Sequence, residues 1–248
     1  MPEITLHSGF GRAMFRTIRA FSLRRILEIG SFDGDGSTQV LAVALAPLES
    51  PDLTCLEMRE DRFSNLLRNT AHLPWVKAVR ASSVGWGSFT ARDFDKDIWP
   101  SFGSQPKDFY DRVKSWWVDD VRHIKAETRG FLDQSDAGFD AALIDGGEFS
   151  GFDEFRLLKD RVDCFFLDDV FHAFKNRKVY EALHIDADWH AVFIDRSERN
   201  GTAIFVRKAR LGNRIQHRFR EARGWTDLFL LLATAKLRRM AARLKVEK

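Results

Sequence analysis

The stretch of residues 26–38 joins an apolar run to a loop of small residues, a pattern that can hold a ligand. The apolar run ends at Gly30, and the loop that follows contains Gly34. The apolar residues after the loop predict a helix, with Ser37 or Thr38 as its cap. A strand, a tight glycine turn and a helix in this order let a ligand approach backbone N–H groups at the helix N-terminus.

The glycine spacing disfavours a dinucleotide as that ligand. The pyrophosphate-binding fingerprint is G-x-G-x-x-G. Here the spacing from Gly30 is G-x-x-x-G-x-G, and Phe32 takes the place of the second glycine. Glu28 stands two residues before Gly30 and is expected to point its carboxylate at the loop. A carboxylate repels phosphates and suits a cationic ligand, such as the sulfonium and amino groups of S-adenosylmethionine (SAM).

A second set of residues that could do chemistry consists of acids that follow two apolar runs. Asp145 follows the predicted strand 139–144, and Asp168 and Asp169 follow the predicted strand 164–167. Because neighbouring strands lie about 5 Å apart and parallel strands end at one edge, these carboxylates are expected to crowd one cleft. Such a cluster either shares a proton or binds a cation, and oxygen ligands favour magnesium, calcium or manganese over zinc.

The elements that must position these residues alternate between strands and helices. The first five predicted strands are 25–29, 53–57, 76–81, 139–144 and 164–167. Two further β segments, 189–194 and 202–207, are joined by a turn at Asn200-Gly201. A predicted helix at 10–21 precedes the first strand, and the predicted helices between strands are 38–45, 59–69, 152–158 and 176–183. This order predicts an α/β fold with a doubly wound, mostly parallel, seven-stranded Rossmann-like sheet and an antiparallel C-terminal hairpin.

At Glu28, Gly30 and Gly34 the sequence resembles the class I SAM-dependent methyltransferases, whose first motif is acidic-x-Gly-x-x-x-Gly after the first strand. The resemblance covers about residues 22–207 and implies that Glu57, after the second predicted strand, holds the ribose hydroxyls of SAM. The cofactor-binding residues that follow from it are Glu28, Gly30, Ser31, Phe32, Gly34, Ser37, Glu57, Met58, Ser82 and Asp145. A tight turn in another α/β protein is the alternative for the loop, and a strand-ending turn is the alternative for Ser82.

The acids after predicted strands four and five are similar to those of the catechol and macrocin O-methyltransferase-like branches of this family. In those branches they hold a divalent metal, and Asp145, Asp168 and Asp169 fall on the metal positions. The resemblance implies Mg²⁺ or a similar cation that chelates two substrate oxygens and acts as a Lewis acid. The rival interpretation is that the acids hydrogen-bond the substrate without any metal.

The general base is left open by the sequence. Those branches often carry Lys or His three residues past the strand-four Asp, where this sequence has Glu148. Glu148 could act as the base, bind the metal or cap the next turn, and His172 is either the other candidate base or a structural histidine. Lys175 and Asn176 could also reach the cleft. The catalytic candidates are Asp145, Glu148 and His172.

Residues 84–138 form an insertion of over fifty residues where a single short helix is expected before strand four. It is too long for a structureless connection inside a compact domain. Its first part is expected to be loop-like, and 109–124 carry apolar residues at helical spacing. We interpret the insertion as a loop and helix that shape or cover the substrate pocket. Trp116 and Trp117 either face that pocket or belong to a core.

The C-terminal residues 208–248 form a basic extension of the predicted methyltransferase domain 1–207. The chain carries a net charge of +3, but from Arg207 onward 13 Lys/Arg face 3 Asp/Glu, so the rest of the chain is acidic. Helices are expected at 213–223 and 226–244. The tail could lie on an anionic membrane surface, pack on the domain with its basic face in water, or join a homodimer.

Composition narrows the remaining function classes. Cys55 and Cys164 fall in apolar strands, which is typical of a reduced cytosolic protein, and neither a signal peptide nor a membrane span is expected. The sequence predicts a SAM-dependent methyltransferase, an enzyme that methylates an oxygen of a small hydroxylated molecule, sugar or glycan. A non-catalytic SAM-binding scaffold is one alternative. A nucleic-acid methyltransferase is another, although the acidic body and the missing Asp/Asn-Pro-Pro-Tyr/Phe motif oppose it.

Overall fold

A seven-stranded sheet forms the centre of the protein, in the order β3-β2-β1-β4-β5-β7-β6. The computed structural model describes residues 4–103, 105–198, 200–212, 222–234 and 236. The strands are β1 Arg25–Ile29, β2 Asp52–Leu56, β3 Val76–Val79, β4 Ala141–Ile144, β5 Cys164–Leu167, β6 Trp189–Asp195 and β7 Thr202–Arg207. Strands β1 to β5 pair in parallel, whereas β7 is antiparallel to β5 and β6. The fold class predicted from the sequence is therefore confirmed.

Helices cover both faces of this sheet. They are α1 Gly9–Phe21, α2 Ser37–Leu45, α3 Glu60–Thr70, α4 Lys107–Lys125, α5 Phe131–Gln134, α6 Gly151–Leu158, α7 Arg177–Ile185, α8 Lys208–Leu211 and α9 at 222–234. Along β1, Ile26 packs into the core beneath α1 and α2, and Leu27 packs into the opposite core beneath α6 and α7. Strands buried on both faces read as continuous apolar runs, which is the pattern that the sequence carries.

The element bounds differ from the predicted ones by a few residues, and one segment differs in kind. The first part of the insertion, expected to be loop-like, contains a π-helical turn at Phe94–Ile98 and a 3₁₀ turn at Trp99–Phe102. Asp93 caps the first of these, since its carboxylate accepts the backbone N–H groups of Asp95 and Lys96 at 3.1 Å each. The Gly and Pro residues of this segment favoured a loop, but capping and the burial of apolar side chains stabilise helical turns there instead.

The insertion has an apolar core of its own. Its aromatic side chains pack with Phe149 and Phe174, which belong to the loops after β4 and β5. Helix α4 matches the predicted 109–124 closely. The insertion is thereby tied to the loops at one edge of the sheet, and it can line a site there.

The basic tail is described only in part. The predicted helix 213–223 lies almost wholly outside the described residues, and 226–244 is described to 234 and at 236, where 226–234 belong to α9. Among the described helices, none combines the length and the apolar character needed to cross a bilayer.

Candidate active site

A cavity of about 790 Å³ opens at the carboxyl ends of β1, β2 and β4. The strand order reverses between β1 and β4, and ligands bind at such a switch point in open α/β sheets. The loop 30–36 between β1 and α2, which we call the glycine loop, lines this cavity together with residues at the end of β2 and on α4. Among the predicted cofactor residues, those in the lining are Gly30, Ser31, Phe32, Ser37, Glu57, Met58, Ser82 and Asp145.

Gly30 allows two loops to meet at the floor of the cavity. Its φ is +86°, and a Cβ placed there would lie 2.4 Å from the backbone oxygen of Asp145. A side chain is therefore excluded by both conformation and space. Gly34, with φ +75°, lets the loop lie against Leu66 of α3, although it does not itself line the cavity.

Glu28 has a different position from the one expected. Its side chain is completely buried outside the cavity lining, where the hydroxyls of Ser37 and Thr38 donate to it at 2.6 and 2.7 Å. Burial raises the pKa of this carboxyl, and those hydrogen bonds oppose the rise. Glu28 lies on the face of β1 that packs against α2, so its carboxylate holds the start of that helix. Its contact with a cofactor stays a prediction.

Glu57, directly after β2, organises the mouth of the glycine loop. Its two carboxylate oxygens accept the backbone N–H groups of Phe32 at 3.0 Å and of Arg59 at 2.8 Å. A carboxylate has about four acceptor positions, so each oxygen keeps one for a ligand. Burial raises the pKa of Glu57, while these hydrogen bonds and nearby Arg62 lower it. The geometry suits two adjacent hydroxyls, such as those of a ribose.

Ser82 lies in the cavity wall, but its polar groups are engaged. Its hydroxyl donates to the backbone oxygen of Val84 at 2.7 Å, and its N–H donates to Glu127 at 3.1 Å. Ser82 therefore takes part in the turn that ends the strand and also lies in the cavity wall, so the two interpretations of this residue do not exclude each other.

The acids after β4 and β5 do converge. Carboxylate oxygens of Asp145, Asp168 and Asp169 lie within 4.8 Å of one another, and we call these three residues the acidic cluster. The ammonium of Lys175 lies 2.8 Å from Asp145 Oδ1 and 2.8 Å from Asp169 Oδ2. Burial opposes the charge on Lys175, but the two carboxylates outweigh it and hold its pKa above the ordinary value.

The arrangement does not fit a divalent cation. Asp145 Oδ1 and Asp169 Oδ2 already hold the ammonium of Lys175 at 2.8 Å, so a cation bound between these two acids would have to displace that ammonium or meet its like charge. Asp168 is buried and lies outside the cavity lining. The sequence pattern predicted the meeting of three carboxylates and included Lys175 among the residues that could reach the cleft, but it did not predict that the ammonium would lie between Asp145 and Asp169.

The two candidate bases differ in their access to the cavity. Glu148 lines it. His172 does not, and its ring packs edge-on against Phe174 with centroids 4.1 Å apart. Burial lowers the pKa of His172, with Asp169 acting in the opposite direction. The catalytic roles of both residues stay predictions.

Asp120, on α4, is a cavity residue that the sequence did not single out. It lines the cavity, and its Oδ2 accepts the backbone N–H of Phe149 at 3.2 Å. Burial and the nearby charge of Glu148 raise the pKa of Asp120 to about 7. An Asp inside an amphipathic helix looks like a solvent-facing residue, so only the packing of α4 reveals its position.

The tryptophan pair of α4 divides between the two environments considered. Trp117 packs in the insertion core, and its Nε1 donates to the backbone oxygen of Ala91 at 2.8 Å. Trp116 lines the cavity and remains 38% exposed. The insertion helix therefore supplies one wall of the cavity.

The charge of the cavity is strongly negative. Eight carboxylate side chains line it against three cationic ones. The acids are Asp33, Asp35, Glu57, Asp119, Asp120, Asp145, Glu148 and Asp169, and the cations are Arg59, Arg62 and Lys175. Such a cavity favours a cationic ligand and disfavours phosphates.

No protein-family model and no curated protein sequence matches this chain. Solved structures do resemble it in fold. An O-methyltransferase from Bacillus cereus in complex with SAH has 15% identity, a TM-score of 0.51 and coverage of 80% of both chains. Cofactor-bound Rv0187 from MTB has 15% identity, a TM-score of 0.52 and coverage of 84% of both chains. A candidate caffeoyl-CoA O-methyltransferase from Staphylococcus aureus has 14% identity, a TM-score of 0.51 and coverage of 79% of this chain and 82% of its own.

Proposed function

We propose that this chain, which has the class I methyltransferase fold, is a SAM-dependent enzyme that methylates an oxygen of a small hydroxylated molecule. The observation that carries the proposal is Glu57. Its carboxylate holds the glycine loop through Phe32, lines the cavity and keeps an acceptor position on each oxygen. Two hydroxyls on neighbouring carbons, as in the ribose of SAM, match that pair of acceptors.

The charge of the cavity supports the same ligand. SAM carries a sulfonium and an ammonium, and the excess of carboxylates in the lining attracts both. A dinucleotide or a nucleic acid would bring phosphates into the same negative field. This opposes the nucleic-acid alternative and leaves the basic tail without a role in the proposed reaction.

The presence of two carboxyls in the cavity lining supports a role for one of them in taking the proton of an acceptor hydroxyl. When bound, SAM supplies a methyl group on a positively charged sulfur. The acceptor oxygen must lose its proton as it is methylated, and Glu148 and Asp120 both line the cavity. A pKa of about 7 makes Asp120 suited to accept a proton at neutral pH. Trp116 offers a flat apolar surface on the same wall, which suits an aromatic or sugar ring.

The magnesium predicted from the sequence is not part of this proposal. Lys175 supplies the positive charge inside the acidic cluster, so we derive no step through a metal. A cytoplasmic location, a homodimer and membrane contact through the tail remain predictions. The cationic residues Arg238, Arg239, Arg243 and Lys245, on which the membrane contact depends, lie outside the described residues.

Calorimetric titration with SAM, SAH and NAD⁺ tests the proposal. We expect the intact chain to bind SAM and SAH and to ignore NAD⁺. Glu57→Ala should weaken SAM binding at least roughly tenfold, because it removes the ribose acceptors and loosens the loop. Glu60→Ala is the matched control, since Glu60 is exposed and its carboxylate pairs with Arg80 at 3.2 Å, away from the cavity lining.

A second assay addresses the reaction itself. The chain is incubated with methyl-labelled SAM and a panel of catechols, phenols and sugars, and labelled products are identified by mass spectrometry. Transfer to an oxygen of any panel member supports the proposal. A folded protein that binds neither SAM nor SAH would contradict it, and binding without transfer across a broad panel would favour the scaffold alternative.

A further inference from the structure

We propose that the ammonium of Lys175 takes the place of a divalent cation in the acidic cluster, so that this chain keeps the carboxylates of a metal site without taking up a metal. The acids alone would not carry this inference, because carboxylates cluster in many proteins. The second observation is the position of a buried cationic group between two of the three carboxylates.

The geometry around the lysine is that of a bridging cation. Its Nζ lies 2.8 Å from both Asp145 Oδ1 and Asp169 Oδ2, and the side chain is only 8% exposed. The other oxygen of Asp169 accepts the side-chain amide of Asn200 at 3.0 Å. Both oxygens of Asp169 therefore already have donors, and a metal ion at Oδ2 would lie beside the ammonium of Lys175, whose like charge repels it.

The backbone holds Lys175 in this position. Its φ is +55°, and its N–H donates to the backbone oxygen of Glu148 at 2.9 Å. The next residue, Asn176, is completely buried and donates to the backbone oxygens of Ile144 and Asp168 at 2.7 and 2.8 Å. A left-handed, non-glycine residue persists only where its surroundings determine it. The lysine is thus anchored to the ends of the same two strands that carry the acids.

Lys175 also lines the cavity beside Asp145 and Asp169. This part of the inference rests on the proposed function: the ammonium of Lys175 can hydrogen-bond the oxygen of the acceptor and so orient it, as a metal ion would. The claim about metal uptake itself does not depend on that function, since it concerns only the acidic cluster and Lys175.

Binding of Mn²⁺, followed by the electron paramagnetic resonance of the free ion, tests the claim. The intact chain is titrated together with Lys175→Ala and the control Lys178→Ala, whose lysine is exposed. We expect no stoichiometric binding to the intact chain or to the control. Lys175→Ala removes the competing ammonium and leaves three carboxylates, so it should bind Mn²⁺ roughly a hundredfold more tightly than the intact chain.

Two further variants make the result specific. The double variant Lys175→Ala/Asp168→Asn should lose the gained Mn²⁺ site, because one of its carboxylates is gone. Lys175→Met keeps the length of the side chain without the charge and replaces the alanine variant if that one fails to fold. Circular dichroism and thermal unfolding establish folding in each case.

The outcomes separate cleanly. Stoichiometric Mn²⁺ binding to the intact chain, lost in Asp145→Asn, would overturn the proposal, as would folded lysine variants that gain no Mn²⁺ site. Calorimetric SAM titration of the same preparations distinguishes this from a failure of the proposed function. An intact chain that binds neither SAM nor Mn²⁺ would contradict the methyltransferase proposal. The replacement of the metal by Lys175 would still be supported if the lysine variant gains Mn²⁺ binding.

Discussion

Two buried carboxyls near the cavity, Asp120 and Glu154, hold their protons more tightly than ordinary carboxyls do. The pKa of each is raised to about 7, with burial as the first cause. Of the two, Asp120 lines the cavity. Glu154 lies behind it, where the hydroxyls of Ser83 and Ser150 donate to its Oε1 at 2.5 and 2.8 Å. The first residue bears on catalysis and the second on stability.

If Asp120 accepts the acceptor's proton, the transfer rate should rise with pH through about 7, because only the ionised carboxylate is a base. Asp120→Asn should lower kcat by about a hundredfold and remove this pH dependence. The amide oxygen can still accept the N–H of Phe149, so the loop contact is preserved.

The comparison variant for Asp120 is Asp111→Asn, an exposed aspartate on the same helix. It should keep both the rate and the pH profile. An Asp120→Asn protein with an unchanged profile would rule out this role and leave Glu148 as the remaining candidate base in the cavity.

Glu154 should make the protein less stable as the pH rises. Because its folded-state pKa is above that of the unfolded chain, its contribution is fully present below about 4.5 and is lost as the pH rises through about 7. The full change is on the order of 3 kcal/mol. Glu154→Gln stays neutral, so its unfolding free energy should fall less between pH 5 and pH 8.5.

Urea unfolding at the two pH values measures this difference. Glu181→Gln serves as the control, since Glu181 is 58% exposed in its pair with Arg177 and should leave the pH dependence unchanged. Equal pH dependence in the intact chain and in Glu154→Gln would refute the assignment.

Among the structural elements, the glycine loop depends on the close approach of the β1 and β4 ends. Gly30→Ala introduces a Cβ 2.4 Å from the backbone oxygen of Asp145 at a φ of +86°. We expect a loss of about 3 kcal/mol in unfolding free energy, together with weaker SAM binding.

Gly103→Ala separates the effect of backbone strain from that of steric overlap by the added Cβ. Gly103 has a similar φ of +65°, but a Cβ added at this residue would meet nothing within 4 Å. This variant should lose only about 1 kcal/mol and keep SAM binding. Thermal unfolding and SAM titration of both variants measure the difference, and equal losses would show that the contact with the Asp145 backbone does not matter.

Helix α4 has a structural side and a cavity side. Trp117→Ala removes a ring from the insertion core and should lower the unfolding free energy by about 3 kcal/mol. Trp116→Ala should change stability little and raise the acceptor KM, because Trp116 lines the cavity. Chemical unfolding and steady-state kinetics measure the two effects, and a reversed assignment would argue against α4 as a cavity wall.

Across the whole molecule, the first described helix holds the last one. Arg16 stacks on Trp225, with the guanidinium 3.7 Å from the ring centroid, and Arg19 Nε lies 2.6 Å from Asp227 Oδ2. Leu228 is buried in the core that α1 shares. The described part of the tail therefore packs on the domain, which is one of the arrangements expected from the sequence.

Leu228→Ala should lower the unfolding free energy by about 3 kcal/mol, because it leaves a cavity in that core. The neighbouring Phe229 is 71% exposed, so Phe229→Ala should change the unfolding free energy by less than about 0.5 kcal/mol. Equilibrium unfolding measures both values. A stable Leu228→Ala protein would contradict the packing of α9 against α1.

Local residue patterns were sufficient to predict the order of the elements and the residues at the strand ends. Apolar runs, the Gly30 turn and the Asn200-Gly201 hairpin are local signals, and each follows from the conformations that nearby residues allow. The same logic brought Asp145 to Asp168 and Asp169, since parallel strands end at one edge. It also predicted Glu57 at the edge of the sheet where the glycine loop lies.

Which side chains face the cavity depends instead on how separate elements pack. Glu28 turned toward α2 because alternate residues of a strand face opposite sides of the sheet. Asp120 reached the cavity through the packing of an insertion that no local pattern orients. Lys175 was expected near the cleft, but its place between Asp145 and Asp169 depends on the fold, because buried carboxylates need a compensating charge and local patterns do not say which cation supplies it. Such contacts depend on distances between separate elements, which local residue patterns do not encode.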